Sequence, residues 1–162
     1  MNWGEFKEAA PEMAQLGEER FERSGLILLG SVRADGSPRI SPVEPLIVDG
    51  EFLLGMIWQS RKALDLLRDP RCLVHSTVSD RSGEEGEFKL RGRALDVQDA
   101  EMRERYCAGL FEKIGWRPQE PYHLFSVDIE SAAFVAYEES SGEQSLKVWR
   151  PGRYNEARRR VS

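Results

Sequence analysis

The sequence predicts a mainly β domain with helical insertions, its mostly antiparallel strands forming a closed or partly split barrel. Short apolar runs recur along the chain, too brief for helices and bounded by turn residues. The turns are tight: Ala34-Asp35-Gly36-Ser37 and Asp49-Gly50 put Asp-Gly where a hairpin needs positive φ. Helices do not alternate with strands, which disfavours a doubly wound sheet. Many short strands in a chain of 162 residues are the pattern of a barrel.

The elements follow in order. Residues 2–23 read as helix, with Asn2 and Glu5 spaced as a capping box and Pro11 suited to the first turn of a second helix. Phe6, Ala10, Met13 and Phe21 mark its apolar side, and Gly25 closes it. Leu26–Val32 is a buried strand, and Pro38–Val48 is its return partner. Pro42 and Pro45 cannot donate ladder bonds, so that partner must be an edge or carry bulges, leaving main-chain groups free for a ligand. Glu51–Ile57 is a third strand, where Gly55 suggests the close approach of a backbone or a ligand. Strands at 72–78 and 88–95 flank a polar loop at 80–86. A helix capped by Asp99 carries Tyr106, Leu110 and Ile114 on one face and ends at Gly115. A Pro-containing loop covers 116–121, and strands follow at 124–129, 133–137 and 145–149. The division expected is a helical segment at 1–24, a barrel at 25–152 and a basic tail at 153–162, in one domain.

The helix between the third and fourth strands departs from an ordinary surface helix. Ser60 can cap it, Leu64 and Leu67 share a face, and Pro70 ends it. Arg61 and Lys62 occupy its first turn, the positive end of the helix dipole, where each cation costs roughly 0.3–1 kcal/mol unless compensated. Two cations, a hydroxyl and free backbone N–H groups make a site for a doubly charged anion such as a phosphate. The alternative is that both pair with Asp65 and face water.

Composition narrows the function classes. At 40% hydrophobic and 31% charged residues the chain is an ordinary globular one, with no apolar run of membrane-spanning length. A net charge of -5 disfavours nucleic acid as the main partner. Arg150, Arg153, Arg158, Arg159 and Arg160 gather near the C-terminus and read as a solvated, partly disordered tail. Cys72 and Cys107 have no metal or redox spacing, and His75 and His123 stand apart, so no metal site is expected. With no secretory signal at Met1–Glu5, the reading is cytoplasmic.

The order strand, Asp-Gly-x-Pro, strand, Asp-Gly, strand, Ser-Arg-Lys-Ala helix, Asp-Pro-Arg, strand resembles the pyridoxamine 5'-phosphate oxidase-like family. Gly30–Pro38 followed by Gln59–Ala63 carries most of that likeness. It implies a split β-barrel of flavin-binding type, with FMN at the interface of a homodimer. By the same resemblance Arg61 and Lys62, with Ser60, hold the flavin phosphate. Ser41, Pro42, Val43 and Glu44 run along the flavin, and Gly55 and Met56 touch it. Glu87 stands where the family has a glutamine, and Trp149 and Arg150 match a Trp and Arg near its C-terminus. The family's vitamin-making members have an Arg and a Lys where Ser41 and Leu46 stand here, so a true pyridoxamine phosphate oxidase is not expected. The expectation is an FMN-dependent oxidoreductase acting on a small molecule by hydride transfer. The alternatives are dependence on the deazaflavin F420, or a protein that binds flavin, another phosphorylated ligand or haem without turnover. Trp58 or Trp149 could wall the ring. Glu44 could meet the ring or a substrate, or pair with Arg33 or Arg39.

Overall fold

Residues 1–161 are described by a computed structural model. Two helices lead, α1 (Trp3–Ala9) and α2 (Pro11–Ser24). Asn2 and Glu5 close the capping box of α1, Pro11 sits in the first turn of α2, and Gly25 ends it with φ 68°. The helical segment expected over 2–23 is two helices parted at Ala10, and Pro11, with no N–H to continue the ladder, opens the second as expected. Trp3, Phe6, Met13 and Phe21 turn inward and meet Phe52, Phe88 and Trp149 of the sheet. The rings pack edge-on, Phe6 to Trp149 at 4.8 Å and Phe21 to Phe88 at 5.6 Å between centroids. Gly17 lets α2 approach, since a Cβ there would stand 2.8 Å from the Phe88 ring.

Among the described residues nine strands form one antiparallel sheet: β1 (Ile27–Val32), β2 (Pro38–Val43), β3 (Pro45–Val48), β4 (Glu51–Ile57), β5 (Arg71–Ser76), β6 (Glu87–Asp96), β7 (Tyr122–Glu138), β8 (Glu143–Arg150) and β9 (Arg153–Arg160). Its main path runs β2-β1-β5-β6-β7-β4-β3, with β8 on β7 and β9 on β8. The strand expected over Pro38–Val48 is split at Glu44. Its first half pairs with β1 and its second with β4, so the two halves are the opposite ends of the path. Pro42 and Pro45 cannot bond across that gap, and the sheet stays open there. It is a split barrel.

Three further boundaries differ from expectation. The strands expected at 124–129 and 133–137 are one long β7, accommodated by a register shift at Arg91/Gly92, where any Cβ on Gly92 would collide with the Asp128 carbonyl. The basic tail is paired rather than disordered: a turn at Pro151-Gly152 returns it as β9 along β8. Helix α3 (Arg61–Arg68) buries Ala63 and Leu66, while Leu64 is half-buried and Leu67 exposed.

Helix α4 (Ala100–Ile114), capped by Asp99, covers the outer side of β3, β4 and β7. Tyr106 and Leu110 join Leu46, Leu53 and Leu124 in a second, smaller core; Ile114 is half exposed. No helix among the described residues is long and apolar enough to cross a membrane.

Candidate functional site

The break at Glu44 opens a cleft of about 570 Å³ between the split edge, α3 and α4. Its floor is Pro42 and Val43 from the end of β2, with Gly55 and Met56 from the end of β4. Lys62 reaches in from α3, and Tyr106 from α4. Trp58, Trp116 and Tyr122 add aromatic wall. The size suits a small organic ligand, and the surface is mostly apolar with few polar groups, as such sites are.

Of the residues singled out in the sequence, Pro42, Val43, Glu44, Gly55, Met56 and Lys62 meet in this cleft. Ser41 is half-buried and does not line it. Arg61 is exposed in an adjoining depression with Arg33, Arg39, Asp65 and Arg68. Glu87 lies on the outer face of β6, bonded by Lys89 at 2.5 Å and near His75 at 3.3 Å. Trp149 is buried in the main core against Phe6, so it is no wall of this cleft, and Arg150 is exposed beyond it.

The start of α3 differs from expectation in its details. Ser60 occupies the cap position, but its hydroxyl bonds no backbone N–H and is a buried oxygen without a partner. Asp65 does not serve Arg61 or Lys62. It accepts from Arg39 Nε at 2.6 Å and from Arg68 at 3.2 Å. Burial pushes the Asp65 carboxyl up, but the two guanidiniums outweigh it and hold the group below its ordinary range. Arg61 is left with no ion pair among the described residues. Lys62 Nζ donates to the Pro42 carbonyl at 3.3 Å, and burial lowers its pKa. Both cations are thus available to an anion, one in the cleft and one beside it.

Sequence reasoning missed three contributors. Tyr106 read as a core residue by helical spacing, yet its hydroxyl fills the notch that Gly55 leaves, where any Cβ would collide with it. So Gly55 does mark a close approach, made by a tyrosine. Tyr122 lies under the Arg103 guanidinium at 4.2 Å, with its hydroxyl 3.3 Å from Cys107 Sγ. Trp116 belongs to a loop without periodicity. His123 is 5% exposed with Nε2 unpartnered, and Trp58 stacks on its ring at 4.4 Å. No group of metal-binding side chains occurs among the described residues.

Comparison with known proteins adds a family and a fold. A family model described as pyridoxamine 5'-phosphate oxidase matches residues 13–136. No curated protein matches the sequence. Among solved structures, a conserved hypothetical protein from Mycobacterium tuberculosis is 19% identical, with 75% of this chain and 81% of that one covered at TM-score 0.62. The haem storage protein HutZ from Vibrio cholerae is 19% identical, covering 75% and 89% at TM-score 0.60. PhzG from Burkholderia lata, solved with tetrahydrophenazine-1-carboxylic acid, is 9% identical, covering 98% and 93% at TM-score 0.61. At these identities the structures share the fold alone.

Proposed function

The chain belongs to the pyridoxamine 5'-phosphate oxidase family, and from that premise we propose that it is an FMN-binding oxidoreductase acting on a small organic molecule. The observation that carries the reading is the cleft at the split edge, where Pro42, Val43, Gly55, Met56 and Lys62 converge. A flavin needs a flat apolar wall, groups that neutralise its phosphate, and polar contacts to its ring. The proline-bearing floor and Trp58 offer the wall. Lys62 and Arg61, unpaired with any carboxylate, and the Ser60 hydroxyl offer the phosphate site. Bound FMN would supply hydride exchange, which requires no protein nucleophile. The chain's own part is to hold the ring against β2 and β4, exclude water with the α4 side, and set the substrate's approach.

The same proposal includes a homodimer in the cytoplasm. The outer faces of β2, β1 and β5 expose Ile40 (71%), Leu28 (36%) and Leu73 (43%), an apolar surface suited to a second copy beside the cleft. Both cysteines are free and buried, as a reducing compartment allows.

The test is direct. Purified protein is titrated with FMN and its absorbance spectrum recorded, with mass spectrometry of any small molecule that co-purifies. The expected result is a yellow stoichiometric complex whose flavin is bleached anaerobically by NADH or NADPH. Arg61→Ala with Lys62→Ala should abolish retention and leave the far-ultraviolet circular dichroism unchanged. A colourless protein that takes up no FMN sinks the reading, and a deazaflavin is then the next cofactor to try. One observation favours a second reading, haem binding: the unpartnered Nε2 of buried His123 is a vacant imidazole ligand near the cleft. A Soret band that His123→Ala removes would support it over flavin.

A further inference from the structure

The flavin reading gives one charged residue of the cleft no task. Glu44 stands at the break between β2 and β3, on the rim of the cleft and exposed. The arginines that could have neutralised it are committed elsewhere or remote. Arg39 is bonded to Asp65, and Arg33 lies in the depression beyond α3. Glu44 has no salt-bridge partner among the described residues. Lys62 shares the cleft but comes from the α3 wall, with its amine on the Pro42 carbonyl.

Aromatic side chains share the cleft with Glu44. Tyr106, Tyr122, Trp58 and Trp116 line the same cleft. Trp58 and Trp116 are 48% and 56% exposed, a large amount of indole surface for a folded chain to leave in water. Aromatic faces with an uncommitted carboxylate at their rim form the arrangement that attracts organic cations. The ring quadrupoles draw the charge, and the carboxylate accepts from or pairs with it. An anion would meet repulsion from Glu44 and from the π faces, opposed in this cleft by Lys62 on the α3 wall. Burial, then Cys107 and the Glu44 carboxylate, hold the Tyr106 phenol up at about 12, so Tyr106 stays a protonated donor in the same cleft.

We propose that Glu44, with Tyr106 and the indole of Trp116, is the specificity site for a planar organic cation, the substrate bound beside the flavin. The proposal rests on the flavin reading for the word substrate, but the preference for a cation stands on the cleft itself.

Calorimetric titration of the full chain at neutral pH separates the two. The probes are N-methylquinolinium, neutral quinoline and anionic quinoline-2-carboxylate, each measured with and without saturating FMN. The expected order is cation, neutral, anion, with the cation about tenfold tighter than quinoline. Glu44→Gln should bring that ratio close to one, and Glu44→Asp should retain part of it. The ratio is internal to each variant, so a general loss of packing does not imitate the effect. With FMN bound, the cation should still bind. Equal affinity for cation and neutral ring, a ratio that survives Glu44→Gln, or mutual exclusion of cation and FMN would each overturn the proposal. Failure of the protein to take up FMN, with the charge ratio intact, would sink the flavin reading and leave the cation preference standing.

Discussion

The two ends of the barrel are built by opposite rules. Under α1 and α2, six aromatic side chains are buried at 6% exposure or less and pack edge to face: Trp3, Phe6, Phe21, Phe52, Phe88 and Trp149. The helix ends there carry their capping box and left-handed glycine. At the other end, from Gly55 to Lys62, local preferences are broken in sequence. Ile57 is 80% exposed, Gln59 holds φ 57° without being glycine, and the Ser60 hydroxyl is buried without a partner. Two cations occupy the wrong end of a helix. Consistency marks the end that holds the fold together, and its violation marks the end where a ligand is expected to complete the structure.

Substitution at the consistent end should therefore cost the most stability. Phe6→Ala removes a fully buried ring that touches Trp3 and Trp149. The expected loss is roughly 3–5 kcal/mol, read by urea unfolding. A loss below about 1 kcal/mol would mean that α1 is not part of the cooperative unit.

Next in size is the ion-pair cluster behind α3. Asp65→Asn leaves Arg39 and Arg68 without their carboxylate, at a cost of roughly 1.5–3 kcal/mol near neutral pH. The pH dependence has a definite sign. The folded pKa lies below the ordinary 3.8, so the contribution is complete above that value and is lost as the pH falls through the folded pKa. Acid unfolding of the wild type should therefore contain a limb below about pH 4 that the Asn variant lacks.

Legibility divides along the same line. The N-terminal helices, the Asp-Gly hairpins and the edge character of the proline strand could be read from the sequence because each depends on neighbours in the chain. Pro42, Val43, Gly55, Met56 and Lys62 could be gathered through a family resemblance. Tyr106 and Tyr122 could not, since they reach the cleft only through the packing of α4 on the outer face of β4 and β7. Leu64 and Leu67 misled for a related reason. The spacing is helical, but which face turns inward is fixed by where β1 lies, and Arg68 reaches the Val32 carbonyl to set it. Trp149 misled too, because likeness to a Trp near the family's C-terminus says nothing about the helix that covers it.

Lys62 tests the contrast from the ligand side, where stability and binding should move in opposite directions. Burial lowers its pKa from 10.5, so the folded chain gives up this proton before the unfolded chain does. Stability of the ligand-free protein should then rise with pH through the interval ending near 10.5, and Lys62→Met should remove that slope. Near neutral pH, Lys62→Met should stabilise the ligand-free protein by less than about 1 kcal/mol, since the amine is half in water. The same variant should weaken FMN binding at least about tenfold, the order of one charge-assisted contact to phosphate. A variant less stable without ligand would show that the Pro42 contact outweighs the buried charge.

The smallest effect is expected at Gln59, and it is a gain. A non-glycine residue at φ 57° carries a penalty of order 1 kcal/mol, and nothing in the turn from Trp58 to Ser60 recovers it through a side-chain bond. Gln59→Gly should raise the unfolding free energy by roughly 0.5–1 kcal/mol, net of the added freedom of the unfolded chain. Its informative readout is FMN affinity. If the strain is present to hold Trp58 over His123 and aim the first turn of α3, relaxing it should loosen flavin binding even as the protein becomes more stable. If affinity and stability rise together, the strained turn is incidental, and the contrast between the two ends reduces to the cations alone.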